Sequence, residues 1–184
     1  MVPVESVLST YAPGEGRSRP RARLRSDAPA LTLDGQWRFR WSPTPDAPLD
    51  FVNGDVDDVD GWPEITVPGH WQLQGPGALT PQAAWGRPAY TNVRFPFPVD
   101  PPFPPDENPT GDYVRSLELG PDWPAGSTLL RFDGVDSVFT LWVNGERVGF
   151  STGSRLVVEF EVGHLLRAGD NVVALRVHQF SAAS

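Results

Sequence analysis

Ten of the chain's 21 prolines fall between residues 69 and 111. Proline lacks the backbone N–H that helix interiors and sheet ladders require, so this stretch can form neither a helix nor a central strand. Aromatic side chains accompany the prolines, among them Trp85, Tyr90 and Phe103, whereas disordered linkers are generally poor in aromatics. We therefore predict a long, ordered, extended loop in this part of the chain.

On both sides of that loop the apolar residues recur with a period of two. Trp37, Phe39 and Trp41 alternate with arginines, which places the three aromatics on one face of a strand. Asn144 and Gly145 separate two apolar runs and supply the positive φ angles of a type I′ hairpin turn. Strands are predicted at 37–41, 65–67, 113–119, 129–132, 138–143, 146–150, 156–162 and 172–180. Because helical periodicity is nearly absent, the fold class is all-β, an antiparallel β-sandwich of the jelly-roll type.

The first 30 residues differ from the remainder. They show little apolar periodicity, and arginines alternate with other residues from Arg17 to Arg25. The formal net charge of -8 and the sequence pI near 4.8 argue against nucleic acid as a partner. We predict an irregular, Arg-rich arm at 1–30 that docks on the parent protein's own surface, followed by a β-sandwich domain at 31–184.

Composition excludes several other classes of function. The chain has no cysteine, which rules out a disulfide framework, a thiolate zinc site and a cysteine nucleophile. The sequence contains neither a leader-like apolar run near its start nor a segment of membrane-spanning length. A cytoplasmic location, without a membrane partner, is the expectation.

Two motifs imitate catalytic or metal sites. The run GFSTG at 149–153 matches the nucleophile pattern of serine hydrolases, with Asp170 and His178 following in triad order. A nucleophile elbow requires a strand, a turn and then a helix, whereas an extended segment follows Ser151, so we interpret Ser151 as a loop residue. The acidic run at 55–61 departs from the calcium-loop pattern, since Val59 and Thr66 occupy ligand positions. We interpret it as a solvated loop.

Sugar chemistry leaves only weak signals in the residues themselves. Glycoside hydrolysis requires two carboxylates that flank the scissile bond, and nothing in the sequence singles out such a pair. Tryptophan rings can stack on the C–H faces of sugars. Three tryptophans occupy predicted core positions, which leaves as exposed candidates Trp85 and, with less support, Trp71 and Trp62.

From residue 33 to the last residue the chain resembles the N-terminal sugar-binding jelly-roll domain of β-galactosidases of glycoside hydrolase family 2, particularly the actinobacterial members. The order and spacing of many short motifs carry this resemblance. They are LDGQWRF at 33–39, VPGHWQ at 67–72, YTNV at 90–93, PP at 101–102, NPTG at 108–111, FDGVDS at 132–137, LWVNG at 141–145, SR at 154–155, EF at 159–160, LRAG at 166–169 with Asn171, and VHQFSAAS at 177–184.

The resemblance implies a galactose-binding-domain-like sandwich that belongs to a retaining β-galactosidase acting on terminal β-D-galactosides such as lactose. The two catalytic glutamates of such enzymes lie on a central (β/α)₈ barrel and are not on this chain, so we expect no activity from the chain alone. It also implies that Asn92, the asparagine of YTNV, hydrogen-bonds the galactosyl unit. An amide offers a donor and an acceptor to hydroxyl groups, although the residues alone equally allow an asparagine that satisfies loop backbone.

The resemblance implies further partners for the full-length enzyme. These are magnesium and sodium ions, the remaining domains of the same polypeptide, and other copies in a homo-oligomer. Thr152 and Gly153 stand where a metal-linked glutamine is expected, so no metal ligand or other cofactor is assigned to this chain. The domain is expected to be incomplete at its C-terminal end.

Three alternatives stay open from the sequence. A free-standing carbohydrate-binding module would have the same sandwich, because fold alone does not fix function. A related family-2 β-glycosidase, such as a β-glucuronidase or β-mannosidase, would share it too, but with a shorter and less proline-rich stretch at 90–111. An interaction or scaffold protein rests only on the arginines at 17–25.

Overall fold

The computed structural model describes residues 7–21, 26–53, 59–88, 96–182 and 184. Within these residues the secondary structure consists mainly of β-strands, with short 3₁₀ turns at Asp50–Asn53, Trp71–Leu73 and Gly163–Leu165. The strands are β1 Gly14–Glu15, β2 Gly35–Ser42, β3 Glu64–Val67, β4 Thr110–Leu119, β5 Leu129–Phe132, β6 Val138–Val143, β7 Glu146–Ser151, β8 Val158–Glu161 and β9 Gly169–His178. The predicted all-β, antiparallel sandwich is confirmed.

The strands form two antiparallel sheets. The larger sheet has the order β1-β7-β6-β9-β4-β2-β3, and the smaller pairs β5 with β8. The predicted hairpin joins β6 to β7, with φ of 50° at Asn144 and 87° at Gly145, the left-handed values that a type I′ turn requires. A β-bulge between Leu141 and Trp142 shifts the register of this pair.

The inner face of the large sheet packs against the small sheet and forms the main core. Trp37 and Phe39 of β2 contribute to it as their alternation predicted, and Trp41 is partly buried against the same cluster. Phe132 of β5 and Phe160 of β8 meet Phe139 from the opposite sheet, with ring centroids 4.9 and 6.0 Å from it. Interleaved aromatic rings therefore hold the two sheets together.

The outer face of the large sheet is also covered. Phe51 and Val59, which lie in the connection between β2 and β3, pack against Val114, Trp142 and Ala174. Since neighbours on both faces exclude water, every residue of β6 is buried, and so is every residue of β9 from Asn171 to its end. This explains why these two strands show continuous apolar runs instead of clean alternation.

A row of charges crosses this outer face. Arg40 of β2 is the register partner of Asp112 on β4, which is in turn the partner of Arg176 on β9. Arg176 Nε donates to Asp112 Oδ1 at 2.7 Å and its Nη2 donates to Oδ2 at 2.9 Å. The same guanidinium donates to the carbonyls of Ala47 and Pro48. The ion pair thereby anchors the covering segment to the sheet.

The described part of the arm lies on the sandwich. β1 adds to the edge of β7, where a Cβ at Gly149 would lie 2.0 Å from the Glu15 carbonyl oxygen, so only glycine allows this approach. Farther along, Ser18 N–H donates to the Glu159 carbonyl, and the Arg21 guanidinium binds the Glu159 carboxylate with two hydrogen bonds. This contact lowers the pKa of Glu159.

Several strand boundaries differ from the sequence prediction; β4, for example, begins at Thr110 instead of Tyr113. The strand predicted from residue 156 begins at Val158, because Leu156 N–H closes a turn onto the Gly153 carbonyl and leaves Leu156 exposed. The last strand runs from Gly169 to His178 instead of 172–180. In the described part of the chain no helix is long and apolar enough to cross a membrane.

Candidate functional site

The predicted substrate-binding residue, Asn92, lies outside the described residues. The segments on either side of it are described as far as Pro88 and again from Pro96. Each of these flanking segments is held to the sandwich by aromatic contacts. The candidate site is therefore built from the two anchors of the loop that carries Asn92.

The first anchor consists of two loop tryptophans that pack against Phe39 of β2. The rings of Trp71 and Trp85 pack against Phe39, with centroid distances of 6.1 and 4.6 Å. Gly111 lies beneath them, and a Cβ there would come within 2.7 Å of the Phe39 ring and 3.0 Å of the Trp71 ring. A side chain at Gly111 would therefore require the Phe39 and Trp71 rings to shift.

This packing corrects the prediction of exposed, sugar-stacking tryptophans. Trp71 is buried, with 4% of its surface exposed. Trp85 is partly buried against the main core and Trp62 against the outer cluster, where the Arg40 guanidinium lies 4.5 Å from its ring centroid. These tryptophans were candidates because they lie outside the predicted core strands, but the segments that carry them fold over apolar faces of the sandwich.

The second anchor joins the returning loop to the last residues of the chain. The Phe97 and Phe180 rings meet edge to face at 4.8 Å. The Asn108 side chain, which is fully buried, donates to the Phe180 carbonyl at 2.8 Å and accepts from the Phe180 N–H at 2.9 Å. An amide that binds both backbone groups of one residue satisfies them without water and fixes the position of 180.

A buried histidine stands beside this clamp. The Thr110 hydroxyl donates to the Asn108 carbonyl at 3.0 Å, and His178 Nδ1 lies 2.8 Å from the hydroxyl oxygen of Thr110. Since the hydroxyl has one proton to donate, we assign the second contact to the ring, with Nδ1–H donating to Thr110. Burial lowers the pKa of His178 to about 3, and the nearby Arg176 charge adds to the shift. The ring is therefore neutral at pH 7.

A group of serines closes this end of the sandwich. Ser137 Oγ lies 2.5 Å from Ser181 Oγ and 2.9 Å from Ser184 Oγ, and its carbonyl accepts from the Ser154 hydroxyl at 3.2 Å. These bonds connect the start of β6, the turn after β7 and the residues that follow β9. The two loop anchors and this cluster lie at one end of the sandwich, where β4 and β6 begin and β9 ends.

The serine-hydrolase-like motif does not form a catalytic triad, because Ser151, Asp170 and His178 do not come together. Ser151 is buried, and its hydroxyl faces the Pro13 carbonyl at 3.5 Å. His178 is bound to Thr110, and Asp170 lies eight residues before it on the same strand. Eight residues of extended chain span about 26 Å, which is too far for a proton relay.

The described residues do not form a hydrolytic or metal-binding constellation. Asp112 and Glu159 are the buried carboxylates of the described residues, and arginines bind both. A general acid needs a raised pKa, whereas that of Glu159 is lowered. No group of three potential metal ligands occurs among the described residues, and residues 55–58 of the acidic run lie outside them.

His178 gives the chain a testable dependence on pH. Its pKa is about 3 in the folded state, against an ordinary value of 6.5 in the unfolded chain, so the unfolded state binds more protons between these values. The contribution of His178 to the free energy of unfolding is fully present above pH 6.5. Below pH 6.5 the free energy of unfolding falls by up to about 1.4 kcal/mol per pH unit. Urea unfolding at pH 7, 6 and 5 measures this loss in a range where most carboxylates remain ionised.

The matched variants for this measurement are His178→Gln and His164→Gln. His164 is exposed beside Glu161, so its replacement is expected to preserve the loss of stability between pH 7 and 5. His178→Gln is expected to flatten the dependence, whatever its effect on stability at pH 7. An unchanged slope in His178→Gln would contradict the assignment.

Comparisons with known proteins bear on this arrangement. A family described as "Glycosyl hydrolases family 2, sugar binding domain" matches residues 31–184. A β-galactosidase of Arthrobacter sp. (strain B7) is 45% identical over 97% of this chain and 19% of its own length. A β-galactosidase of Psychromonas ingrahamii is 40% identical over 98% of this chain and 17% of its own length. The chain thus spans about a fifth of the length of these relatives.

Solved structures show the same fold at lower identity. A β-glucuronidase of Bifidobacterium dentium superposes with a TM-score of 0.59 and 22% identity, covering 79% of this chain and 19% of that chain. A β-D-mannosidase of Dictyoglomus thermophilum gives a TM-score of 0.52 and 22% identity, and the superposition covers 81% of this chain and 15% of the mannosidase. At such identities the similarity concerns the sandwich alone.

Proposed function

We propose that this chain, which belongs to the sugar-binding-domain family of the family 2 glycosyl hydrolases, serves as a non-catalytic domain of a β-galactosidase. The enzyme would hydrolyse terminal β-D-galactosides such as lactose with retention. The observation that carries this proposal is the 40–45% identity to two β-galactosidases across nearly the whole chain. The β-glucuronidase and β-mannosidase likenesses reach only 22%, which favours galactosides as substrates.

The division of labour follows from the residues present. Because arginines bind the buried carboxylates among the described residues, the acid and the nucleophile would come from the remaining domains of the longer polypeptide. Retaining hydrolysis requires two carboxyl groups about 5 Å apart. This domain would support the mouth of the active site and the assembly of the enzyme.

Asn92 would supply this domain's contact with the substrate. Its loop is tied down on one side by Trp85 on Phe39 and on the other by Phe97 on Phe180. Anchored ends reduce the conformational entropy that a loop loses when it binds a ligand. The carboxamide would donate to one galactosyl hydroxyl and accept from another.

The proposal also covers the metal ions, the cellular location and the oligomeric state of the enzyme. The described residues bring together no set of carboxylates or imidazoles that fits magnesium, so the ligands of magnesium and sodium would come from elsewhere in the full-length enzyme. We extend the proposal to a cytoplasmic homo-oligomer. The net charge of -8 suits a soluble protein that does not bind nucleic acid.

The test is Asn92→Ala in the polypeptide that carries this chain together with its remaining domains. Loss of hydrogen bonds to a substrate hydroxyl is expected to lower kcat/KM for lactose by about 10- to 100-fold. Asn53→Ala is the matched control, since Asn53 is exposed and its amide donates to the Asp50 carbonyl three residues earlier. A kcat/KM of Asn92→Ala within twofold of the wild-type value would exclude the proposed contact.

A further inference from the structure

At the pole of the sandwich opposite the serine cluster lies a cavity of about 240 Å³. It opens where β4 ends and β9 begins, whereas His178 and Thr110 mark the other ends of the same strands. Ten-residue strands span about 30 Å, so the cavity lies at the opposite end of β4 and β9 from Thr110 and His178. Its walls are the loops at 120–128 and 163–168.

One wall of the cavity is an oriented aromatic ring. Trp123 is partly exposed, and its indole N–H donates to Thr128 Oγ1 at 3.3 Å. Its backbone N–H closes a turn onto the Gly120 carbonyl, and Pro121 and Pro124 flank it. The ring therefore has a fixed orientation and presents an apolar surface to the cavity.

The two loops are held together by the carboxylate of Glu161. Its Oε1 accepts from the N–H of Gly163 at 2.9 Å and from that of Thr128 at 3.2 Å, and these bonds help to lower its pKa. A Cβ at Gly163 would lie 2.0 Å from the Gly126 carbonyl oxygen, so the backbones of the two loops are in direct contact at these glycines. The cavity is thus preformed in the unliganded chain.

The loop at 163–168 contributes Arg167, a hydrogen-bond donor, to the lining of the cavity. Asn171, fully buried, binds both the N–H and the carbonyl of Arg167. Arg167 Nε donates to the Asp170 carbonyl at 2.9 Å. Within the described part of the chain its two terminal Nη groups have no hydrogen-bond partner, so they are available to a ligand. A guanidinium offers paired donors to vicinal hydroxyls as well as to anions.

Charge decides between these two ligand classes. The Glu161 carboxylate binds the N–H groups of two lining residues, Thr128 and Gly163, and Asp170 contacts the lining residue Arg167. Glu118 and Asp122 adjoin other lining residues in the sequence. An anionic ligand would meet this acidic surrounding unfavourably, whereas a neutral polyol would not. The volume is below the 300–1,000 Å³ of sites for drug-sized ligands and suits one sugar ring.

We propose that this cavity, the Trp123 cavity, is a second saccharide site that binds the terminal ring of a neutral sugar, with Trp123 as the stacking platform and Arg167 as the donor. The C–H face of a pyranose packs on the indole, and its hydroxyls accept from Arg167. The site takes no part in hydrolysis. It adds a point of attachment about 30 Å from Thr110 and His178, at the other end of the sandwich.

The experiment is saturation-transfer NMR and titration of the 184-residue chain with methyl β-D-galactopyranoside and lactose. Binding is expected with a Kd on the order of 1–10 mM. Trp123→Ala and Arg167→Gln are each expected to weaken it by about tenfold, and sodium glucuronate is expected to bind at least about tenfold more weakly than the galactosides. Phe103→Ala, which truncates an exposed aromatic outside the cavity, is the matched control. Arg167→Gln alters an exposed side chain and is expected to fold.

The outcomes separate this site from the proposed function. Binding that survives Asn92→Ala but not Trp123→Ala or Arg167→Gln supports the second site. Binding that is lost in Asn92→Ala and kept in Trp123→Ala overturns it while leaving the role of Asn92 intact. Absence of saturation transfer from the wild-type chain, or equal binding of glucuronate, also overturns it. In the full-length enzyme, Trp123→Ala is expected to leave kcat/KM for a small galactoside unchanged.

Discussion

Replacing Asp112 with alanine is expected to lower the free energy of unfolding by about 3–5 kcal/mol. The carboxylate is fully buried and receives two hydrogen bonds from Arg176, which is itself 2% exposed, and two from Arg40. Removing it leaves a guanidinium away from water without its counter-charge, and the carbonyls of Ala47 and Pro48 compensate only in part. Urea unfolding followed by circular dichroism measures the change.

The control for this variant is Asp50→Ala. Asp50 also pairs with Arg40, at 2.9 Å, but 61% of its side chain is exposed, and exposed ion pairs contribute at most about 1 kcal/mol. Replacing both members of the buried pair, as Asp112→Leu with Arg176→Met, is expected to cost less than Asp112→Ala alone, because no unpaired charge is left. Equal losses for Asp112→Ala and Asp50→Ala would show that burial of the pair has no energetic consequence.

Phe39→Ala is expected to destabilise the chain by about 3–5 kcal/mol, as truncation of a buried aromatic generally does. Phe39 is fully buried at the centre of the main core, where its ring meets Trp71, Trp85 and Tyr113 within 6.1 Å. The variant leaves a cavity beneath both tryptophans. Because these rings anchor the segment that leads to Asn92, a local effect should accompany the global one.

Two measurements separate these effects. Urea unfolding gives the global loss, and hydrogen exchange of the Ala78 and Ala84 amides reports on the loop, since both donate to carbonyls within it. Phe39→Ala is expected to accelerate their exchange more than that of amides in β9. Phe103→Ala, at a site that is 62% exposed, is expected to change stability by less than about 0.5 kcal/mol. Protection of Ala78 and Ala84 that stays at the wild-type level would contradict the anchoring role.

Local sequence patterns predicted most strands of this fold. The alternation around Phe39 and the Asn144-Gly145 turn depend on side-chain direction and backbone angles that a few residues set by themselves. Boundaries were less accurate where a tertiary contact ended a strand, as at Val158. The candidate site residue Asn92 came from motif resemblance and stays a prediction, because it lies outside the described residues.

The sequence by itself determined the all-β class, the hairpin and the membership in a sugar-binding family. Only the tertiary structure decided that Asp112 pairs with Arg176, 64 residues away, that Trp71 of the proline-rich loop is buried against Phe39, and that Trp123 and Arg167 line one cavity. The physical reason is that short-range patterns report which face of a strand is apolar. Partners across strands depend on register, and burial within a loop depends on the surface over which it closes.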